Sequence, residues 1–169
     1  MHILLTRQLQ DSKDLIQKFK SNGFKVSNLP LLEINKLDYN KIKIYNYDAI
    51  IFTSSNAIRF LELKNINKNI LCFCVGSSTE KTARLNGFQQ VFAADGNVRN
   101  LKELVQQNLS LKDNKILYVS GDIVSYPLDK DLISEGYNVV RLINYTVSHN
   151  KNLDLTFLES LKKDMPNIV

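Results

Sequence analysis

Four short polar segments stand where chemistry could sit. Thr6-Arg7 follows the apolar run Ile3-Leu4-Leu5, and Thr53-Ser54-Ser55-Asn56 follows Ala49-Ile50-Ile51-Phe52. Gly76-Ser77-Ser78-Thr79 follows Leu71-Cys72-Phe73-Cys74-Val75, and Ser120-Gly121-Asp122 follows Ile116-Leu117-Tyr118-Val119. Each polar segment leads from a strand-like run toward helix-period sequence. A helix start offers free N–H groups and the positive end of a dipole, and hydroxyl side chains there suit a carboxylate or phosphate. Any one such segment also reads as an ordinary N-cap. Four of them at the carboxyl edge of one parallel sheet, where such sheets bind ligands, favour an anion site.

Several other chemistries are missing. The chain has no G-x-G-x-x-G and no G-x-x-x-x-G-K-[ST], so neither dinucleotide nor P-loop binding is signalled. The first strand ends in Thr6-Arg7, without the acidic cluster of a phospho-acceptor domain. Two histidines, His2 and His149, stand at strand ends far apart, which predicts surface or edge positions and no Ser–His–Asp or Cys–His set. Cys72 and Cys74 at spacing i, i+2 share one strand face and read as buried small apolar residues; a zinc site would need about two further ligands. No metal site is expected.

Composition sets wider bounds. The 169 residues are 44% hydrophobic and 23% charged, which fits a globular chain and excludes disordered and collagen-like classes. No apolar run approaches ~18 residues, so no transmembrane span is expected. The N-terminus lacks a basic n-region and a cleavage site, which predicts a cytoplasmic protein. The net charge of +5 comes from 17 Lys against 5 Arg, scattered among 19 Asn. That pattern fits an acidic partner or an AT-rich genome equally. No Arg-rich stripe or helix-turn-helix signal points to nucleic acid.

The elements that must position these residues alternate. Strand-like runs at 3–5, 24–26, 47–52, 70–75, 90–93, 116–119 and 139–145 are separated by helix-period segments at 11–22, 56–63, 79–86, 97–109 and 128–135, with a last helix at 153–163. Gly23-Phe24, Gly87-Phe88 and Gly136-Tyr137 recur after helices: glycine takes the left-handed cap and the aromatic packs back. Such alternation means βαβ units and a mainly parallel sheet. Two extended segments break the rhythm, residues 31–37 and 140–148. Paired together they form a two-stranded bridge. Residues 38–139 then form a complete inserted domain, and residues 1–30 with 149–169 a partial, discontinuous one. The second body has too few strands to close a sheet.

Taken in order, these pieces resemble uroporphyrinogen-III synthases. The resemblance rests on Leu5-Thr6-Arg7, on Asp48 to Ile58, on Val75-Gly76-Ser77-Ser78-Thr79 with Ala83, Leu85 and Gly87, on Ser120-Gly121-Asp122 with Leu128, Leu132 and Gly136, and on Asn144-Tyr145-Thr146. It implies an α/β fold of two flavodoxin-like parallel-sheet domains joined by a two-stranded ladder. It implies a cofactor-free hydro-lyase of haem and tetrapyrrole synthesis, which cyclises linear hydroxymethylbilane with loss of water and inverts ring D through a spiro intermediate. The partner implied is that polycarboxylate substrate, with no nucleic acid and no membrane.

Carried over position by position, the resemblance makes Tyr145 the general acid for the departing hydroxyl. A bridge tyrosine packing on a strand is the other reading. Ser54 and Thr79 would bind substrate carboxylates, with Ser55, Ser78 and Gly76 in the same loops and Arg7 at the end of the first strand. No single side chain is implied to be indispensable, so positioning and electrostatics should carry most of the catalysis.

The family's chain runs further than this one. The rest of its first domain is expected after residue 163, so the first domain reads as incomplete. That predicts exposed apolar faces on Ile3-Leu4-Leu5 and on the helix bearing Leu153, Phe157 and Leu161. A truncated or split gene product, a fragment, and a protomer completed by self-association or a second polypeptide all fit. A non-catalytic anion-binding or interaction module is the alternative function, and a flavin- or nucleotide-binding domain a third.

Overall fold

A computed structural model describes residues 1–39, 47–64, 66–110 and 114–169. The elements run β1 (His2–Leu5), α1 (Leu9–Ser21), β2 (Lys25–Asn28), β3 (Leu32–Lys36), β4 (Ala49–Phe52), α2 (Ser55–Arg59), β5 (Leu71–Val75), α3 (Ser77–Leu85), β6 (Gln90–Ala94), α4 (Val98–Asn108), β7 (Lys115–Gly121), α5 (Leu128–Ser134), β8 (Asn138–His149) and α6 (Leu155–Lys163). The chain divides into two compact units, residues 1–34 with 147–169 and residues 35–146.

The larger unit is built on a six-stranded sheet of order β3-β8-β7-β4-β5-β6. From β8 to β6 every neighbouring pair is parallel. The central strand β4 is wholly inaccessible along Ala49, Ile50, Ile51 and Phe52. Helices cover both faces of such a sheet, which is why its sequence is an unbroken apolar run rather than an alternating one. On one face Ile51, Phe73 and Tyr118 pack with Leu101 and Val105 of α4 and Leu128 and Leu132 of α5. Phe52, on the other face, meets Phe88 edge-on with ring centroids 5.7 Å apart.

Cys72 and Cys74 are fully buried on that second face, as their spacing predicts, with sulfurs 3.8 Å apart and no disulfide between them. The hydrogen bond shared with Cys74, and then burial, push the Cys72 thiol up, so it stays protonated and packs as a small hydrophobe. Among the described residues no cluster of His, Cys, Asp or Glu could hold a metal ion. No helix among them is long and apolar enough to cross a membrane.

The three glycine–aromatic turns form as their sequences predict. Gly23, Gly87 and Gly136 have φ of 79°, 91° and 94°. Behind each, the next N–H reaches back to a carbonyl five residues earlier: Phe24 to Phe19, Phe88 to Ala83, Tyr137 to Leu132. This is the 6→1 bond of the Schellman motif, which a Cβ at the glycine would strain.

The two segments outside the βαβ rhythm pair as β3 and β8. Leu37 N–H donates to the Asn144 carbonyl at 2.9 Å and Asn150 N–H to that of Leu31 at 2.9 Å, so the two strands are antiparallel. Both cross the unit boundary, and β8 reaches twelve residues by doing so.

The smaller unit holds the parallel pair β1–β2 with α1 and α6. Here two expectations change. His2 is buried, not superficial: its ring contacts the Asp164 carbonyl at 3.0 Å and Ser27 Oγ at 2.9 Å. Ile3 and Leu161 are also buried, and the stretch at 167–168 lies along β1. Ile3 pairs with Ile168 in parallel, and Leu4 N–H donates to the Ile168 carbonyl at 2.8 Å. Exposed apolar surface lies instead on Leu9, Leu15, Leu155 and Met165. Two helix limits change as well. α2 stops at Arg59 rather than Leu63, and α3 begins at Ser77 rather than Thr79.

Candidate functional site

The larger unit has a cleft of about 350 Å³ just outside the carboxyl ends of its parallel strands. That is where an open α/β sheet places a ligand. Its wall is Thr53 and Ser54 after β4, Val75 at the end of β5, Gly96-Asn97-Val98 entering α4, Tyr118 of β7, residues 123–126 beyond β7, and Tyr145 of β8. Among the described residues no Lys, Arg, Asp or Glu lines it.

Two helix starts face the cleft. Ser54 caps α2, its Oγ accepting from Asn56 N–H at 3.2 Å. Asn97 caps α4, its Oδ1 accepting from Arg99 N–H at 2.8 Å and from Asn100 N–H at 3.3 Å. Both residues therefore serve the fold and the cleft at once.

Three tyrosines reach the wall, and their hydroxyls differ. Tyr118 is 1% exposed; its hydroxyl lies 3.3 Å from Thr53 Oγ1, and burial raises its pKa, so it stays neutral. The Tyr126 hydroxyl donates to the Asp131 carboxylate, which raises its pKa too. Tyr145 is largely buried, yet among the described residues no group hydrogen-bonds its hydroxyl. Of the three it has the proton with no internal partner, and so the one best able to meet a ligand.

Beside the cleft, Asp131 also takes the Lys102 ammonium at 2.9 Å, and that ammonium meets Glu135 at 2.5 Å. The Tyr126 hydroxyl first, and Lys102 second, hold the Asp131 carboxyl below the usual range. A carboxyl whose folded pKa lies below its unfolded value of about 3.9 stabilises the fold above that value, and the contribution is lost as pH falls through the folded pKa. Asp131→Asn is therefore expected to flatten the loss of stability as pH falls below about 4, read from urea midpoints along that acid limb. An unchanged acid limb would remove Asp131 from the account.

Of the residues singled out in the sequence, the cleft collects Ser54 and Tyr145. Ser55 is buried as the first residue of α2. Gly76 is the N-cap of α3 with φ 76°, Ser78 is exposed on that helix, and Thr79 is buried against the core. None of these four lines the cleft. Arg7 lies in the smaller unit, exposed, with its carbonyl accepting from Asn28 Nδ2 at 2.9 Å. Sequence reading missed Tyr118 and Tyr126. Tyr126 could have been found by extending the strand-end rule past Asp122, whereas Tyr118 reads as one more apolar residue in its strand.

Known proteins resemble this chain along most of its length. The curated protein RP474 of Rickettsia prowazekii (strain Madrid E), itself uncharacterized, is 24% identical over 162 residues, covering 95% of this chain and 54% of that protein. The crystal structure of uroporphyrinogen-III synthetase from Helicobacter pylori 26695 matches with a TM-score of 0.61 at 21% identity, over 99% of this chain and 70% of that one. A mutant uroporphyrinogen III synthase from the extremely thermophilic bacterium Thermus thermophilus matches with a TM-score of 0.58 at 15% identity, over 96% and 69%. These structures share the α/β fold. The chain spans about half the length of the curated relative it matches. The model of the family described as uroporphyrinogen-III synthase HemD matches residues 13–169, nearly the whole chain, and on that match the chain belongs to the uroporphyrinogen-III synthase family.

Proposed function

We propose that this chain takes part in the uroporphyrinogen-III synthase reaction: it binds linear hydroxymethylbilane, assists loss of its hydroxyl as water, and closes the ring with ring D inverted. The observation that carries this reading is the cleft that sets the unpartnered Tyr145 hydroxyl among two helix N-termini. In this reading Tyr145 gives its proton to the departing hydroxyl, which leaves as water. In the same reading Ser54 and the helix ends within the cleft hold acetate and propionate carboxylates of the substrate. The residues supply position and field for a reactive molecule, and no cofactor is called on.

The two units correspond, in the same reading, to the family's two flavodoxin-like domains, with β3 and β8 as the ladder between them. The setting is cytoplasmic tetrapyrrole synthesis.

The test is isomer analysis. Freshly generated hydroxymethylbilane is supplied, and the porphyrins are oxidised and separated. Spontaneous closure gives type I and serves as the internal control. Type III above that background supports the reading. Type I alone, from folded protein, overturns it and leaves a non-catalytic anion-binding or interaction module.

A further inference from the structure

We propose that Gly121 is a positioning residue: its missing side chain is the seat that holds the Tyr145 ring with its hydroxyl end at the cleft. The proposal rests on Tyr145 serving the reaction above, and its first measurement does not need that reaction. The chain has six glycines. Five adopt positive φ, and Gly121 does not. Conformational freedom is therefore not what position 121 requires.

Space is. A Cβ built on Gly121 falls 2.6 Å from Tyr145 Cε2 and 2.8 Å from Cζ, the carbon that bears the hydroxyl. Carbon atoms at rest sit roughly 3.5–4.0 Å apart. The ring thus lies against the bare backbone at the last residue of β7.

The strand register brings them together. Ser120 pairs with Ile143, but Gly121 pairs with Tyr145, so Asn144 is an extra residue at that point. Such a bulge re-aims the side chain that follows it. Asn144 is fully buried, and its Nδ2 donates to the Ala57 carbonyl at 2.8 Å.

The backbone of the seat cannot easily retreat. Arg141 Nη2 donates to the Gly121 carbonyl at 2.8 Å, and Asp122 N–H donates to that of Tyr145 at 3.0 Å. Thr146 Oγ1 adds a bond to Asp122 Oδ2 at 2.6 Å. A methyl group at 121 therefore moves the ring.

The experiment uses the full chain labelled with 3-fluorotyrosine, with the Tyr145 fluorine resonance assigned by its loss in Tyr145→Phe. In Gly121→Ala that resonance is expected to shift while those of the other six tyrosines hold. Type III formation is expected to lose about 10²-fold in kcat, the scale of a 1 Å misplacement, with KM nearly unchanged. Gly121→Ala added to Tyr145→Phe is expected to cost nothing further. An unmoved Tyr145 resonance overturns the proposal whether or not the chain makes type III. So does a full additional loss in the double variant. If Gly121→Ala does not fold, Tyr145→Ala in the same chain is expected to restore folding by vacating the space, and no restoration overturns the seat.

Discussion

Replacing Tyr145 by phenylalanine is expected to lower type III formation by about 10²-fold while leaving the fold intact, the lower end of what a positioned general acid contributes. The change removes one oxygen and keeps the ring, so the contact with Gly121 and the tilted contact with Phe60, at 6.3 Å between centroids, survive. The loss should fall on kcat, because the proton is needed only as the C–O bond breaks. No group among the described residues is left unpaired by it, since the hydroxyl has no internal partner. Stability should therefore hold, and single-turnover assays with isomer separation read the effect cleanly. An unchanged type III yield would strip Tyr145 of its proton-donating role and leave catalysis to the field of the helix ends. Substitution of Tyr126, whose proton is already given to Asp131, should cost less.

The largest effect on stability is expected from Phe73→Ala. Phe73 is wholly inaccessible at the middle of β5, packed in the core beneath α4 and stacked on Phe92 with centroids 5.5 Å apart. Truncating a buried aromatic removes its transfer free energy and leaves a cavity, together about 3–5 kcal/mol. That is a large part of the roughly 5–15 kcal/mol that holds a domain. The chain has no Trp, so urea unfolding followed by far-UV dichroism is the suitable readout. The midpoint should fall with the slope unchanged. A loss under about 1 kcal/mol would mean that the neighbouring helices close over the gap.

What could be read from the sequence was local. The three glycine–aromatic turns repeat a bonding pattern that spans six residues, and each forms as its letters imply. Strand runs such as Ala49 to Phe52 declare their burial by being apolar throughout. The pairing of β3 with β8 was legible as two extended segments without a helix between strand and strand. What was hidden depends on distant partners. His2 is buried because Ser27, Asp164 and Asn167 meet it, and no spacing around residue 2 announces them. The shortness of α2 is of the same kind: the Tyr39 hydroxyl, from before the strand, takes the N–H of Glu62 where the helix would have continued. In the cleft, strand ends pointed to Ser54, but the grouping of three tyrosines from β7, β8 and the 123–126 segment is a product of topology. Gly121 is the sharpest case, since its letter is visible and its reason is the Tyr145 ring on another strand.

The discontinuity of the smaller unit also sets an order of events during synthesis. A chain leaves the ribosome from its N-terminal side, and domains fold as units as they emerge. β1 and α1 are made before the larger unit, yet the groups that close around β1 (Asp164, Asn167 and Ile168) appear only after the whole of residues 35–146. Of all the strands, β1 is thus made early and enclosed late. Until then its apolar edge waits in solvent while the larger unit, contiguous in sequence, is free to fold. A nascent chain of this family member therefore leaves that edge of β1 without its C-terminal partners until synthesis is nearly done.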